Sequence, residues 1–140
     1  MLHAGLDKLV NWPFDAGWFV GGAAQGTSLG PVVTLFSDGA GLAFTNFMVP
    51  IGQTLIGLGL ILGALTRLAA FFGAFLMTFF YFINGETGGW AHGLVTGELL
   101  GIVIFGMIAS LGAGRILGID AYLAKMALFE NHPKLQYLIG

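Results

Sequence analysis

Few side chains in this sequence can do chemistry, and most of those fall where a membrane makes them costly. Glu98 sits inside an apolar run, five residues past Gly93, which is about 8 Å along a helix. An ionisable group inside a span costs ~2.5–3.5 kcal/mol on insertion scales, so it calls for a reason. Its candidate partners are Lys8 and His92, and the three form the candidate catalytic set. Three readings stay open for Glu98. It is a structural ion pair or hydrogen-bonded neutral acid, a carboxyl that handles protons or touches a quinone, or a side chain that snorkels to the interface. Gln53 carries donors and an acceptor that burial must satisfy, and it shares a helical stripe with Asn46, Pro50 and Gly57. Tyr81 and Asn84 lie at the end of the next apolar run. Gln53, Tyr81 and Asn84 are the candidate substrate-binding residues. The plainer alternative is that polar residues collect near any membrane interface.

Other chemistries find little footing. There is no cysteine, so disulfides, thiolate metal sites, iron–sulfur clusters and a cysteine nucleophile are excluded. His3, His92 and His132 fall on three separate elements, and no metal site is assigned. The glycine-rich stretch from Gly21 to Gly30 is not followed by Lys-Ser or Lys-Thr, so it is no phosphate loop. It reads as part of a loop.

The elements that would position these residues follow from the charges. Five Lys or Arg and seven Asp or Glu make 9% of 140 residues, against 56% apolar. A soluble domain is about one-quarter charged. A water-soluble surface can hardly be built here, and five basic residues do not suit a nucleic-acid binder. The composition points to one integral membrane domain over 1–140. Uncharged or nearly uncharged runs place spans at about 44–65, 67–84 and 93–113, near the ~20 residues that a crossing needs. Residues 1–10 are too few to cross and read as the end of a first helix whose beginning is missing. Residues 11–43 hold many glycines and read as a long outer loop.

Arg67, Arg115, Lys125 and Lys134 then share one side, and Lys8 alone lies opposite. The positive-inside rule puts those four in the cytoplasm. The other side carries Asp15, Asp38 and Glu86, with Trp12, Trp18 and Trp90 suited to an interface. The tail, 116–140, spaces Ile119, Tyr122, Leu123, Met126 and Phe129 as an interfacial helix would. Small residues at Gly59 and Gly63, at Ala69 and Gly73, and at Gly93, Gly97 and Gly101 suit close helix packing, within one chain or between chains.

Four short motifs, in order, carry a resemblance. They are Ala4-Gly5 with Lys8, the glycine-rich 51–70 run ending Thr66-Arg67, His92-Gly93 with Glu98, and Gly112-x-Gly114-Arg115 followed by Gly118-x-Asp120. Together they resemble the DoxX/DoxD family of small membrane proteins. The resemblance implies an all-α integral membrane protein, a DoxX-like four-helix transmembrane bundle. Its features here are a shortened first helix, a long outer loop and a C-terminal interfacial helix. It also implies a multi-pass protein of a prokaryotic cell membrane, with its C-terminus cytoplasmic. The implied function is a membrane subunit of a quinone-linked redox complex, with thiosulfate:quinone oxidoreductase as the named case. Quinone is then the expected cofactor, bound without a covalent link. The expected partners are the lipid bilayer and other membrane subunits or further copies of the chain, and no nucleic acid. Gln53 departs from the glutamate often found at its place in the family. The competing reading is a non-catalytic accessory or structural subunit of a larger respiratory or oxidase complex.

Overall fold

The computed structural model describes residues 1–126 and 132–140. Among them there is helix and turn but no strand. The main helices are α1 (Leu2–Val10), α2 (Gly30–Val33), α3 (Gly39–Leu62), α4 (Thr66–Glu86), α5 (Gly97–Leu111), α6 (Gly114–Leu117) and α7 (Asp120–Leu123). Two of these, α3 with 24 residues and α4 with 21, are long and apolar enough to cross a membrane. Helix α5 has 15 residues. That is about 22 Å of helix, short of the ~30 Å hydrocarbon core.

The boundaries differ from the expected spans for local reasons. Helix α3 starts at Gly39 rather than near 44, so five residues assigned to the loop belong to the helix. It stops at Gly63, whose φ of 65° suits glycine, and the Ala64 N–H closes the end on the Gly59 carbonyl at 2.8 Å. Helix α4 follows after a left-handed Leu65. Helix α5 begins only at Gly97, because the Thr96 hydroxyl accepts from the Leu99 N–H at 3.4 Å and caps it. It ends at Gly112, again left-handed.

Small residues bring the helices together, though not all the expected ones. An added Cβ at Gly5 would meet the Thr54 N at 2.5 Å, and one at Gly57 would meet the Leu2 N at 2.5 Å. So α1 lies directly on α3. Gly73 takes the ring of Phe105, 2.8 Å from where its Cβ would be, and Gly101 takes Met77 at 3.3 Å. These two seat α5 on α4. Gly59 faces Ala69 in the α3–α4 hairpin. Gly93 and Gly97 face open space, so the stripe on the last span packs only at Gly101.

The stretch 11–43 is folded rather than a bare loop. A π-helical turn at Trp18–Ala23, the short α2 and a 3-10 turn at Thr34–Phe36 compact it. Ala16, Val20, Ala24 and Val33 bury themselves against Ile83 of α4. Two polar ties fix it. The Ala16 N–H donates to Asn46 Oδ1 at 2.7 Å, and the Ser28 N–H and hydroxyl donate to the Glu86 carboxylate.

The tail is also corrected. It does not run as one interfacial helix over Ile119, Tyr122, Leu123 and Met126. Two one-turn helices and a 3-10 turn at Pro133–Tyr137 fold it back on the α3–α4 turn, with Ile139 fully buried. Phe129 and Glu130 lie outside the described residues.

Candidate functional site

Polar side chains gather at two opposite ends of the α4–α5 pair. At the first end, Asn84 from the last turn of α4 donates through Nδ2 to Glu98 Oε1 at 3.0 Å. Glu98 lies in the first turn of α5, half-buried, where a helix N-terminus favours negative charge. One turn back along α4, the Tyr81 phenol donates to the Leu94 carbonyl at 3.1 Å. The Tyr81 ring packs 5.3 Å from Trp90, which also lies 6.1 Å from Phe82. Trp90 sits on Gly85, where no side chain could fit, and its buried Nε1 has no acceptor. His92 ends the short 3-10 turn Gly89–His92 and is exposed.

Three of the candidate residues therefore come together: Tyr81, Asn84 and Glu98, with His92 on the turn that links their helices. The others do not join them. Lys8 is one of the two partners expected for Glu98, with His92, but the Lys8–Glu98 pair does not form. Lys8 lies on α1, which packs against α3, and its ammonium donates to the Ala4 carbonyl at 3.1 Å and sits 5.5 Å over the Phe14 ring. A long flexible side chain found a partner on its own helix and an aromatic face beside it. Gln53 is 3% exposed on α3, and its Oε1 has no donor. It lies ten residues from Gly63, whereas Asn84 lies nineteen from Leu65 along the antiparallel partner. That offset is about 13 Å along the pair. Gln53 thus stands apart from Tyr81, Asn84 and Glu98.

The second end is built around Asp120, which the sequence places in the tail and in the Gly118-x-Asp120 motif without a role. Its side chain is fully buried. Its Oδ1 accepts from the Leu65 N–H at 2.6 Å. Its Oδ2 accepts from the Thr66 N–H at 2.9 Å, the Gly140 N–H at 3.0 Å and the Thr66 hydroxyl. The backbone on either side works in the opposite sense. The Ile119 N–H donates to the Leu62 carbonyl at 3.1 Å and the Asp120 N–H to the Gly63 carbonyl at 2.8 Å. One short segment thus satisfies the open carbonyls of α3 and the open N–H groups of α4 together. Gly114 and Gly118 are glycines because Thr66, Asp120 and Gly63 occupy the space where a side chain would be. Arg67 Nε donates to the Ala109 carbonyl at 3.1 Å and Arg115 to the Gln136 carbonyl at 3.1 Å, closing the end around it. The sequence held one hint. Thr66 opens α4 with no acidic residue in its first turn, so its cap had to come from elsewhere.

The two ends differ in what they can do. The carboxylate of Asp120 is enclosed by its donors and has a structural task. The carboxyl of Glu98 is reachable, with the Asn84 amide bonded to it and the Tyr81 phenol held at Leu94 one turn away, and can exchange hydrogen bonds or a proton with a small polar group. Among the described residues no three His, Asp or Glu side chains are grouped to hold a metal ion.

No protein-family model, curated protein or solved structure matches the chain.

Proposed function

We propose that this chain is a DoxX/DoxD-like membrane subunit of a quinone-linked redox complex, with thiosulfate:quinone oxidoreductase as the named case. In this reading it is a multi-pass protein, a four-helix bundle of α1, α3, α4 and α5. The Asp120 end is cytoplasmic, as the basic residues Arg67, Arg115 and Lys125 suggest. The Glu98 end then lies at the outer interface, where a quinone headgroup can reach it from the lipid.

One observation carries the reading. A carboxyl, an amide and a phenol stand together where two apolar helices end. The second N–H of Asn84 suits a quinone carbonyl oxygen, the Tyr81 phenol oxygen can accept from a quinol hydroxyl, and a carboxylate suits the proton released on quinol oxidation. When bound, a quinone supplies the two-electron acceptor. The chain's own part is to orient the headgroup with Asn84 and Tyr81 and to take up a proton at the Glu98 carboxylate.

The test is thiosulfate-dependent reduction of a short-chain quinone analogue by the complex purified from its native membrane. General acid–base roles contribute about 10²-fold or more. The variant Glu98→Gln, which keeps an oxygen for Asn84, should lower the rate by about that factor with assembly intact. Lys8→Ala should leave the rate unchanged. An undiminished rate in Glu98→Gln rejects the site.

The second reading, a non-catalytic accessory subunit, has its own support. Asn84 and Asp120 tie separate parts of this chain together, while Leu55, Ile61, Phe71 and Leu111 present broad apolar faces. A stoichiometric complex whose rate is indifferent to Glu98→Gln would favour it.

A further inference from the structure

The α3–α4 hairpin holds an apolar groove of about 660 Å³. Gly52, Gly59 and Ala69 form part of its lining, with Met48, Leu62 and Phe72. The groove follows α3 from Met48 to Leu62, about 21 Å of helix. That is somewhat more than the ~15 Å depth of one leaflet, half of a ~30 Å core. At Leu62 it meets a second hollow of about 460 Å³, which is lined by Gly118, Tyr122 and Lys125 as well. Leu62, half-exposed, lines both, so the two hollows adjoin and an elongated molecule would pass from one to the other over its side chain. The first is apolar throughout. The second offers a phenol and an exposed ammonium beyond the end of the apolar helices.

We infer that these two adjoining hollows bind one anionic phospholipid, with an acyl chain in the α3–α4 groove and its phosphate at Lys125 and Tyr122. The charge of Lys125 is what selects an anionic headgroup over a zwitterionic one. The volume is within the usual 300–1,000 Å³ of small-molecule sites, so a single chain suits it. The site rests on the membrane reading above but not on quinone chemistry, because neither hollow is lined by Tyr81, Asn84 or Glu98 and the Lys125 hollow is at the other end of the helices.

The tail segment that carries Lys125 is pinned there by Asp120, whose N–H and carboxylate hold Gly63, Leu65 and Thr66. The headgroup site is therefore preformed rather than dependent on a lipid to order it.

The experiment is native mass spectrometry of the detergent-solubilised chain titrated with phosphatidylglycerol or phosphatidylcholine of the same acyl chains. Phosphatidylglycerol should bind about fivefold more tightly, equivalent to ~1 kcal/mol for one basic side chain at an anionic surface. Lys125→Ala should bring the two lipids to parity. Gly52→Leu should weaken both, because an added Cβ at Gly52 meets nothing within 4 Å and the side chain would fill the groove without moving α3. Circular dichroism of each variant should match the parent. Equal affinity for both lipids in the parent, or a preference that survives Lys125→Ala, overturns the headgroup assignment. Undiminished binding to Gly52→Leu overturns the groove, as does a dimer that forms with lipid excluded. Glycerol phosphate binding as tightly as the lipid would show a free-phosphate site instead. Release of the chain from membranes by alkaline carbonate would reject the membrane reading itself, separately from these outcomes.

Discussion

Replacing Asp120 with alanine should loosen the α3–α4 turn more than any change at the Glu98 end. The side chain is fully buried and accepts from three backbone N–H groups, on Leu65, Thr66 and Gly140, besides the Thr66 hydroxyl. Thr66 and Gly140 are themselves buried. A buried donor left without an acceptor costs about 1–3 kcal/mol. Two such donors, with some relief from water entering beside the shortened side chain, give a loss of about 3 kcal/mol. That is roughly 150-fold in the unfolding equilibrium. Asp120→Asn keeps the volume and one carbonyl oxygen. If that oxygen takes the place of Oδ2, only the Leu65 bond is lost, and the expected loss is about half as large. Unfolding in mixed micelles, by titration with a denaturing detergent, reads the global change. Amide exchange at Leu65, Thr66 and Gly140 reads the local one. An Asp120→Ala variant within 0.5 kcal/mol of the parent, about the size of an ordinary surface change, and with unchanged exchange at those amides, would refute the double-capping role.

Two other substitutions test the packing. Gly5→Val should lift α1 from α3, because a Cβ there meets the Thr54 N at 2.5 Å and the Pro50 carbonyl oxygen at 2.9 Å. Overpacking of this kind costs ~1–3 kcal/mol, and amide exchange across Leu2–Val10 should rise while that of α4 holds. Gly85→Ala should push Trp90 off α4, since the added Cβ would lie 2.7 Å from its Cδ2. In a Trp12→Phe, Trp18→Phe background, the emission of Trp90 should shift to the red, and an unmoved spectrum would mean that Trp90 does not rest on Gly85.

Composition and charge spacing alone determined a good deal about this protein. Twelve charged residues leave long uncharged runs, and two of those runs are helices of crossing length. Helix existence was legible because apolar length and turn residues are local properties. The pairing of Tyr81, Asn84 and Glu98 was half legible, since adjoining helices joined by a short turn must bring their facing ends together. Glu98's true partner was not, because sequence spacing cannot tell an amide across α4 from an ammonium on α1. The glycine stripe misled at Gly93 and Gly97 for a similar reason. Periodicity shows that a face is small, not which neighbour arrives to use it, and here Phe105 reached Gly73 and Leu2 reached Gly57.

Asp120 shows most clearly what only the tertiary structure decided. In the sequence it closes a short Gly118-x-Asp120 motif in the tail, with nothing to say what it binds. In the fold, 54 residues separate it from the Thr66 N–H that it receives. The open N–H groups of α4 and the open carbonyls of α3 need partners, and local sequence supplies no acid to cap α4. The returning chain brings that acid to the turn, and burial of an unpaired carboxylate would be too costly anywhere else. Long-range satisfaction of helix ends is set by where the chain returns in space, which no local pattern encodes.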